Sequence, residues 1–597
     1  MTTQEPSVTE ESSQEDAEDG SEEDSESPQR EAPTALVGVR KRVDRLRRDI
    51  SRWAKEYPTP LFFVTLLGLD ALLNVRYPSN EPLLWFLIPS LDVVALLAAL
   101  AIAGNLRWRV PAVLRAAVAL LLVFVRLLRL ADGVQEHYFS EQFNLYSDLA
   151  LVPELFRFIH SALPFGLFLV SMLGALLALL GVGFGSYYGL LHLERYLRKR
   201  RHVYVAAGSL TVLVAISAVA EHDHRYDEYF DGALASSVVP RLKHEADFLY
   251  NIYSEKGEHA KVMAQAERRL RQLPTNLVKL GRRNVYLILV ESYGTSVFSW
   301  DKLAQPSKPV FERFQAEIEQ AGFSMVSGAL DSPTYGGRSW LAHSTLATGM
   351  RITNQLEYEL VCSRRPKVLA RFFRDAGYQT VLVQPGTTRA WPKGELYDFE
   401  KKYYLWNFDY AGPSYAWATM PDQYVLDFIR RREHVSYPRP LFIQYVLVSS
   451  HAPWSDLPPV IENWDAVTNG AVYKRAKNRH FPIQWPNFAN AQEAYIQSII
   501  YDFEVLRQYI TRWIKDDSLV ILLGDHQPVS DVAGNSDSWG VPIHVLSRDK
   551  ELLKPFEARG YVPGVRPPLE GAHAGLETFL GDFLADFSTW DVQGSLN

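Results

Sequence analysis

Cysteine is nearly missing from this chain. Cys362 is the only one among 597 residues, which excludes an intrachain disulfide framework and leaves the redox compartment unread. A strong charge of either sign is missing too. The formal net charge is −7, yet residues 1–31 alone hold twelve acidic side chains, one basic one and no aromatic residue. That tail is therefore −11, and subtraction leaves about +4 for residues 32–597, a balance that gives no footing for nucleic acid. The tail is also short of apolar residues. It cannot bury enough surface to offset the entropy of ordering, so a disordered acidic segment over 1–39 is expected. With no apolar core region in it, no cleavable signal peptide is expected either. No internal repeat is found.

Long apolar runs, by contrast, are plentiful after the tail. Five lie at roughly 60–76, 83–104, 110–131, 163–191 and 203–220, each approaching or exceeding the ~20 residues that cross hydrocarbon as a helix. The first is short and carries Asp70. Basic clusters flank them at Arg40–Lys55, at Arg107 and Arg109, and at Arg195–Arg201. The excess of Lys and Arg on alternate loops places the N-terminus inside the cell and everything after residue 220 outside. A five-helix membrane domain over 40–220 is thus expected, in the inner or plasma membrane. Asp70 and Asp92 either line a lipid or ion path or pair with neighbouring helices. Arg126 and Arg129 either hold an anionic headgroup or pair with Asp132 and snorkel.

A charged stretch with helical spacing, 221–280, reads as a connector. From 281 to 597 the pattern changes. Apolar or β-branched runs at 284–290, 378–383, 440–448, 518–523 and 541–546 alternate with helical patterns near 309–320, 339–348, 366–376, 421–431 and 489–515. Strands separated by such helices predict an α/β domain with a doubly wound, mostly parallel sheet. Ligands of such sheets collect at the carboxyl ends of the strands. Glu291, His451 and the pair Asp525-His526 all lie just past a predicted strand end.

These residue types suit one chemistry. A hydroxyl is a weak nucleophile at neutral pH, and coordination to a divalent cation activates it. Glu291, Asp525 and His526 offer two carboxylates and an imidazole, a set that suits Mn²⁺, Mg²⁺ or Zn²⁺. Ser339 follows Gly336-Gly337-Arg338 and begins a helical pattern, where backbone N–H groups and the helix dipole favour a phosphoryl group. Alone it reads as a helix-capping serine; beside the other ligands it reads as the nucleophile. His451, in Ser449-Ser450-His451-Ala452-Pro453, can hold a phosphate oxygen or protonate a leaving group. His343, four residues past Ser339, is expected to pack or to orient a ligand. Arg338 either pairs with phosphate or is a solvated turn residue.

At this point the chain resembles the alkaline phosphatase/sulfatase superfamily, and within it the membrane-bound lipoteichoic acid synthase and phosphoglycerol transferase branch. The resemblance is carried by Asn284-Val-Tyr-Leu-Ile-Leu-Val-Glu291-Ser292, by Gly-Gly-Arg-Ser339, by Ser-Ser-His451-Ala-Pro and by Leu-Leu-Gly-Asp525-His526-Gln-Pro528. It implies metal-ligand roles for Glu291, Asp525 and His526, with Mn²⁺ the first choice of ion. It places Ser339 where the branch has a threonine nucleophile, and His451 where it has a substrate-binding histidine. Trp417 to Asp422 resembles a Trp-Gly-x-x-Asp segment near the headgroup site, with Ala418 for the glycine and one extra residue. His573 opens a stretch resembling the closing His-x-Asp-x-x-Pro-Thr motif, with Gly575 where Asp is expected. The sulfatase Cys/Ser-x-Pro-x-Arg motif does not fit Ser339 or Cys362, which argues against sulfate ester hydrolysis. The implied function is transfer of a phospholipid headgroup, phosphoglycerol or similar, through Ser339 onto a glycan or polyol of the cell envelope. The alternatives are a phosphodiesterase, phosphatase or sulfatase-like hydrolase of the same fold, and a degenerate domain serving as a membrane-bound scaffold.

Overall fold

The computed structural model describes residues 56–590, except 75–89, 140–142, most of 150–163, 223–237 and several short loop stretches, the longest being 482–489. The expected acidic tail and Trp417 lie outside the described residues. The chain divides into two compact units, 1–64 and 65–597, and the second holds the whole α/β half.

Helices form at all five apolar segments: α1 (Pro58–Asn74), α2 (Leu91–Asn105), α3 (Ala112–Phe139), α5 (Phe165–Leu197) and α6 (Arg200–His222), with a single turn, α4 (Leu145–Asp148), between the third and fourth. Among the described residues only α5 is long and apolar enough to cross a membrane by length and composition, where five such helices were expected. The reason lies in the chain itself: α1 and α2 are shorter apolar helices of 17 and 15 residues, and α3 carries Arg115, Arg126 and Arg129. No part of the most apolar window of α5 is buried by the rest of the protein. Leu169, Val170, Leu173, Leu176 and Leu177 are all at least half exposed.

The polar groups of these helices are used internally. Asp70 Oδ1 accepts from Asn74 Nδ2 at 3.0 Å and from the Ser90 amide at 2.8 Å. Asp92 Oδ2 accepts from the Val238 amide at 3.1 Å, at the start of the long connector helix α7 (Val238–Arg271). Arg129 Nη1 lies 3.6 Å from Asp132 Oδ2, and its Nε donates to the Leu73 carbonyl at 3.0 Å. Pairing thus explains both acids and Arg129.

The second half is built on one nine-stranded sheet: β1 (Val285–Val290), β2 (Ser324–Asp331), β3 (Gln379–Val383), β4 (Lys401–Tyr403), β5 (Leu441–Val446), β6 (Leu519–Gly524), β7 (Gly540–Ser547), β8 (Val562–Pro563) and β9 (Ala574–Gly575). The spatial order is β8-β2-β7-β6-β1-β5-β3-β4, with β9 on β2. The block β6-β1-β5-β3-β4 is parallel throughout. β7 runs antiparallel to β6 and to β2, so the sheet is mixed at this edge.

Every residue of β1, β5, β6 and β7 is buried, as expected when helices cover both faces. Side chains alternate between the faces of a strand. Tyr286, Ile288 and Val290 enter one core with helices α8 (Asp301–Gln320), α10 (Asp422–Glu433) and α11 (Ala491–Trp513). Val285, Leu287 and Leu289 enter the other, with α9 (Ser339–Thr348) and Thr578–Phe587.

Register then positions the site. Val290 is level with Gly524, so the next residues, Glu291 and Asp525, leave the sheet side by side. Gly524 is required there, because a Cβ on it would lie 1.8 Å from the Tyr293 carbonyl oxygen. Gly524→Ala is therefore expected to destabilise the chain by about 3 kcal/mol or more, since main chain cannot yield as a side chain does. Thermal unfolding against wild type checks this, and an unchanged midpoint would mean that the strands do not approach so closely.

Candidate active site

Glu291, Asp525 and His526 are 6%, 2% and 1% exposed, and each offers one ligand atom within 4.8 Å of the others. Asp525 is oriented by backbone: its Oδ1 accepts the Ser292 and His526 amides, each at 2.8 Å. Its Oδ2 is buried without a hydrogen-bond partner, an arrangement costly for a carboxylate oxygen. His526 Nδ1 lies 2.7 Å from the Gln527 carbonyl. Donation there orients the ring so that Nε2 faces Glu291 Oε1, 3.3 Å away, where it would ligate a cation once it has lost its proton. Two carboxylates, one of them with an oxygen that makes no hydrogen bond, and one imidazole fit a divalent cation.

Burial alone would lower the His526 imidazole, but Asp525 and Glu291 outweigh it and push it up to about 9. Burial would raise Asp525, but His526 and His343 outweigh it and hold the carboxyl well below the usual range. His343 Nε2, also buried, is 3.5 Å from Asp525 Oδ2.

Ser339 is brought to these residues by its turn. Thr334 Oγ1 donates to the Gly337 carbonyl at 2.6 Å. Tyr335 bridges to Gln527, and the Gly336 amide donates to the Gln527 carbonyl at 3.0 Å. The turn is thus stapled directly to the strand end that carries Asp525 and His526. Gly336, Gly337 and Arg338 all have positive φ (69°, 155° and 60°). That tight reversal starts α9 at Ser339. Ser339 Oγ lies 3.1 Å from Glu291 Oε2 and 3.1 Å from His526 Nε2. Unlike the three ligands, Ser339 is only half-buried. The hydroxyl is directed at the buried cluster, at the positive end of a helix dipole.

His451 is held from two sides. Ser450 Oγ donates to the Glu291 carbonyl at 2.8 Å, and His451 Nδ1 lies 2.7 Å from the Ala452 carbonyl. Asp422 does not face a headgroup. It is 0% exposed, and its carboxylate accepts the Val448 amide at 3.0 Å and the Ser449 amide at 2.6 Å. It supports the loop carrying His451 from behind. Behind it in turn stands Asp502 of α11, facing Asp422 and Ser450. Sequence reading missed Asp502; the available signal was an acid on the apolar face of an amphipathic helix. Two other predicted contacts stand apart from the cluster. Arg338 Nη2 is 3.0 Å from Asp148 Oδ1, and His573 Nδ1 is 3.3 Å from Asp331 Oδ1.

Burial pushes Asp422 up to about 6, against the hydrogen bonds from Ser449 and Val448. Burial and then the Asp422 charge push Asp502 well above the carboxylate range. Because these pKa values are raised on folding, the native state holds more protons than the unfolded chain. Their ionisation therefore costs stability as pH rises from about 4 through 6 and beyond. Asp502→Asn, which keeps the shape and removes one acid, is expected to gain on the order of 1–3 kcal/mol at pH 7. The gain should vanish near pH 4. Melting curves across pH 4–8 check this, and a variant less stable than wild type at pH 7 would refute it.

Residues 284–545 match the family described as Sulfatase. The chain carries a sulfatase domain. The match spans β1 to β7 and includes Glu291, Ser339, His451, Asp525 and His526. The matched region is thus a sulfatase domain of the alkaline phosphatase superfamily. No curated protein sequence matches the chain. Among solved structures, phosphoethanolamine transferase EptA from Neisseria meningitidis, an integral membrane protein, is 12% identical. The alignment covers 88% of this chain and 95% of that one, with a TM-score of 0.44. Lipoteichoic acid synthase LtaP from Listeria monocytogenes is 15% identical over 52% of this chain and 75% of that one, with a TM-score of 0.33. Phosphoglycerol transferase GacH from Streptococcus pyogenes is 12% identical over 56% and 91%, with a TM-score of 0.33.

Proposed function

We propose that the protein is an integral-membrane phosphotransferase that moves a phospholipid headgroup, phosphoglycerol or similar, through Ser339 onto a glycan or polyol hydroxyl of the cell envelope. The carrying observation is that Ser339 Oγ stands 3.1 Å from both Glu291 Oε2 and His526 Nε2, half-exposed over a buried ligand set. Glu291, Asp525, His526 and Ser339 Oγ would hold one divalent cation, with Mn²⁺ first and Mg²⁺ or Zn²⁺ also suited to the donors. When bound, the cation would favour the serine alkoxide and offset charge on the phosphoryl oxygens.

The protein groups divide the remaining work. Ser339 Oγ gives up its proton and forms the bond to phosphorus while the bond to the diacylglycerol oxygen breaks and that oxygen takes up a proton, leaving the headgroup joined to Ser339 as a phosphodiester. His451, next to the Ser450 that is tied to the Glu291 carbonyl, would hold a phosphoryl oxygen or give a proton to that departing oxygen. In the second half the acceptor hydroxyl gives up its proton and bonds to phosphorus while the bond from phosphorus to Ser339 Oγ breaks, and Oγ takes up a proton to restore the serine. Water as acceptor would make the same site a hydrolase.

The membrane reading rests on the uncovered apolar surface of α5, larger than a soluble chain leaves in water, and on the spacing of the basic clusters. It divides the chain into a tail (1–39), a five-helix membrane domain (40–220), a connector (221–280) and an extracytoplasmic catalytic domain (281–597). Phosphatidylglycerol labelled in its headgroup, given to purified protein with and without a glycan, tests the reaction. Label trapped on Ser339 in intact-mass spectra and passed to the glycan supports transfer; free glycerol phosphate supports hydrolysis; no adduct sinks the serine mechanism.

A further inference from the structure

We propose that Asp148, outside the sulfatase domain, is a positioning residue for the nucleophile turn and acts through Arg338; the inference rests on Ser339 being the nucleophile. Arg338 is the residue immediately before Ser339. It caps α9 in the left-handed region, at φ 60° and ψ 40°, a conformation that a residue with a long side chain holds only when its surroundings enforce it. Its carbonyl is fixed by the Leu341 amide at 2.8 Å. Its guanidinium is fixed by Asp148, 190 residues earlier in the chain, at 3.0 Å. The two side chains are only 13% and 6% exposed, so screening is weak and neither charge is readily satisfied by water alone.

Asp148 is itself anchored. Its Oδ2 accepts the Asn144 amide at 2.8 Å, which orients Oδ1 toward Arg338. The α4 turn that carries it is gripped by the connector helix. Glu245 accepts the Leu145 amide at 3.3 Å, and Arg241 Nη2 donates to the Phe143 carbonyl at 2.6 Å. Arg241 also binds Glu245 at 2.6 Å and Asp132 of α3 at 2.9 Å. A continuous series of charge-assisted contacts therefore runs from α3 through α7 and α4 to the residue before the nucleophile. With Asp148 neutralising it, Arg338 serves the turn rather than offering a net positive charge to a phosphate. The helical half of the chain thereby completes a site whose catalytic groups all lie in the sulfatase domain.

The test uses the full chain in detergent micelles, loaded with Mn²⁺, with bis(p-nitrophenyl) phosphate as a soluble probe. Asp148→Asn is expected to lower kcat at least tenfold, with KM within twofold and metal content unchanged. Asp148→Asn combined with Arg338→Gln should lose no more than the worse single variant, because the two act as a unit. Losses that multiply, or a wild-type kcat in Asp148→Asn, would overturn the inference. Should Asp148→Asn fail to fold, Arg338→Lys keeps the charge and loses the planar fork. It is expected to lower kcat at constant KM, whereas a raised KM at constant kcat would make Arg338 a substrate clamp and refute the positioning role. Ser339→Ala in the same assay separates the two ideas. If it stays active, the nucleophile assignment fails; if it is dead while Asp148→Asn is normal, only the Asp148 inference fails.

Discussion

Ser339→Ala is expected to cut turnover by about three orders of magnitude or more while leaving metal content and folding intact. The substitution removes one half-exposed oxygen and nothing that supports the sheet. The three buried residues that would grip the cation are untouched. Two of them are oriented by bonds in which Ser339 takes no part: Asp525 by the Ser292 and His526 amides, His526 by the Gln527 carbonyl. Ser339→Thr keeps the hydroxyl and should keep measurable turnover. Rates with labelled phosphatidylglycerol, together with intact-mass spectra of protein quenched during turnover, check both variants. Activity of Ser339→Ala within tenfold of wild type would mean that another group attacks phosphorus.

A comparable loss is expected from Asp525→Asn, by a different route. The amide oxygen of the new side chain must take over the two backbone N–H groups that Oδ1 now accepts, because an NH₂ group cannot accept them. The NH₂ group then takes the place of Oδ2, which makes no hydrogen bond and lies 3.5 Å from His343 Nε2. A donor aimed at a cation repels it. Metal analysis of the purified variant should find essentially no bound divalent ion, activity should fall about a thousandfold or more, and added Mn²⁺ should no longer raise the melting temperature. For wild type, saturating metal at about a thousand times its Kd would add about 4 kcal/mol. Full metal retention in Asp525→Asn would remove this aspartate from the ligand set.

The parts of the fold that sequence made visible are those with a strong periodic signal. The apolar runs of β1, β3, β5, β6 and β7 are strands, and the start of α9 falls at Ser339 as the two preceding glycines imply. The meeting of Glu291, Asp525 and His526 followed from strand ends alone, because parallel strands in register deliver their next residues to one edge. β2 went unnoticed because Ser324-Met-Val-Ser-Gly-Ala-Leu-Asp331 is poor in β-branched residues. It is a strand because β7 pairs with it along its whole length. The antiparallel direction of β7 was equally hidden, since an apolar run carries no arrow. Asp422 looked like a contact for substrate because a motif places it near the site; only burial reveals that its oxygens are spent on the Val448 and Ser449 amides. Asp148 could not be found at all by local reading, because its partner lies 190 residues away.

The close approach of Gly524 to Tyr293 has a bearing on which ions the site can accept. Where side-chain torsions set the gap between two ligands, a cluster can swell or shrink to suit its guest. Here the two acids depart from adjacent main chains already in contact, so the spacing of their backbones, and with it much of the room a cation would have, is inherited from peptide geometry. Discrimination by ionic radius would accordingly resist tuning through substitutions in the interior and would change only when the strands themselves are respaced.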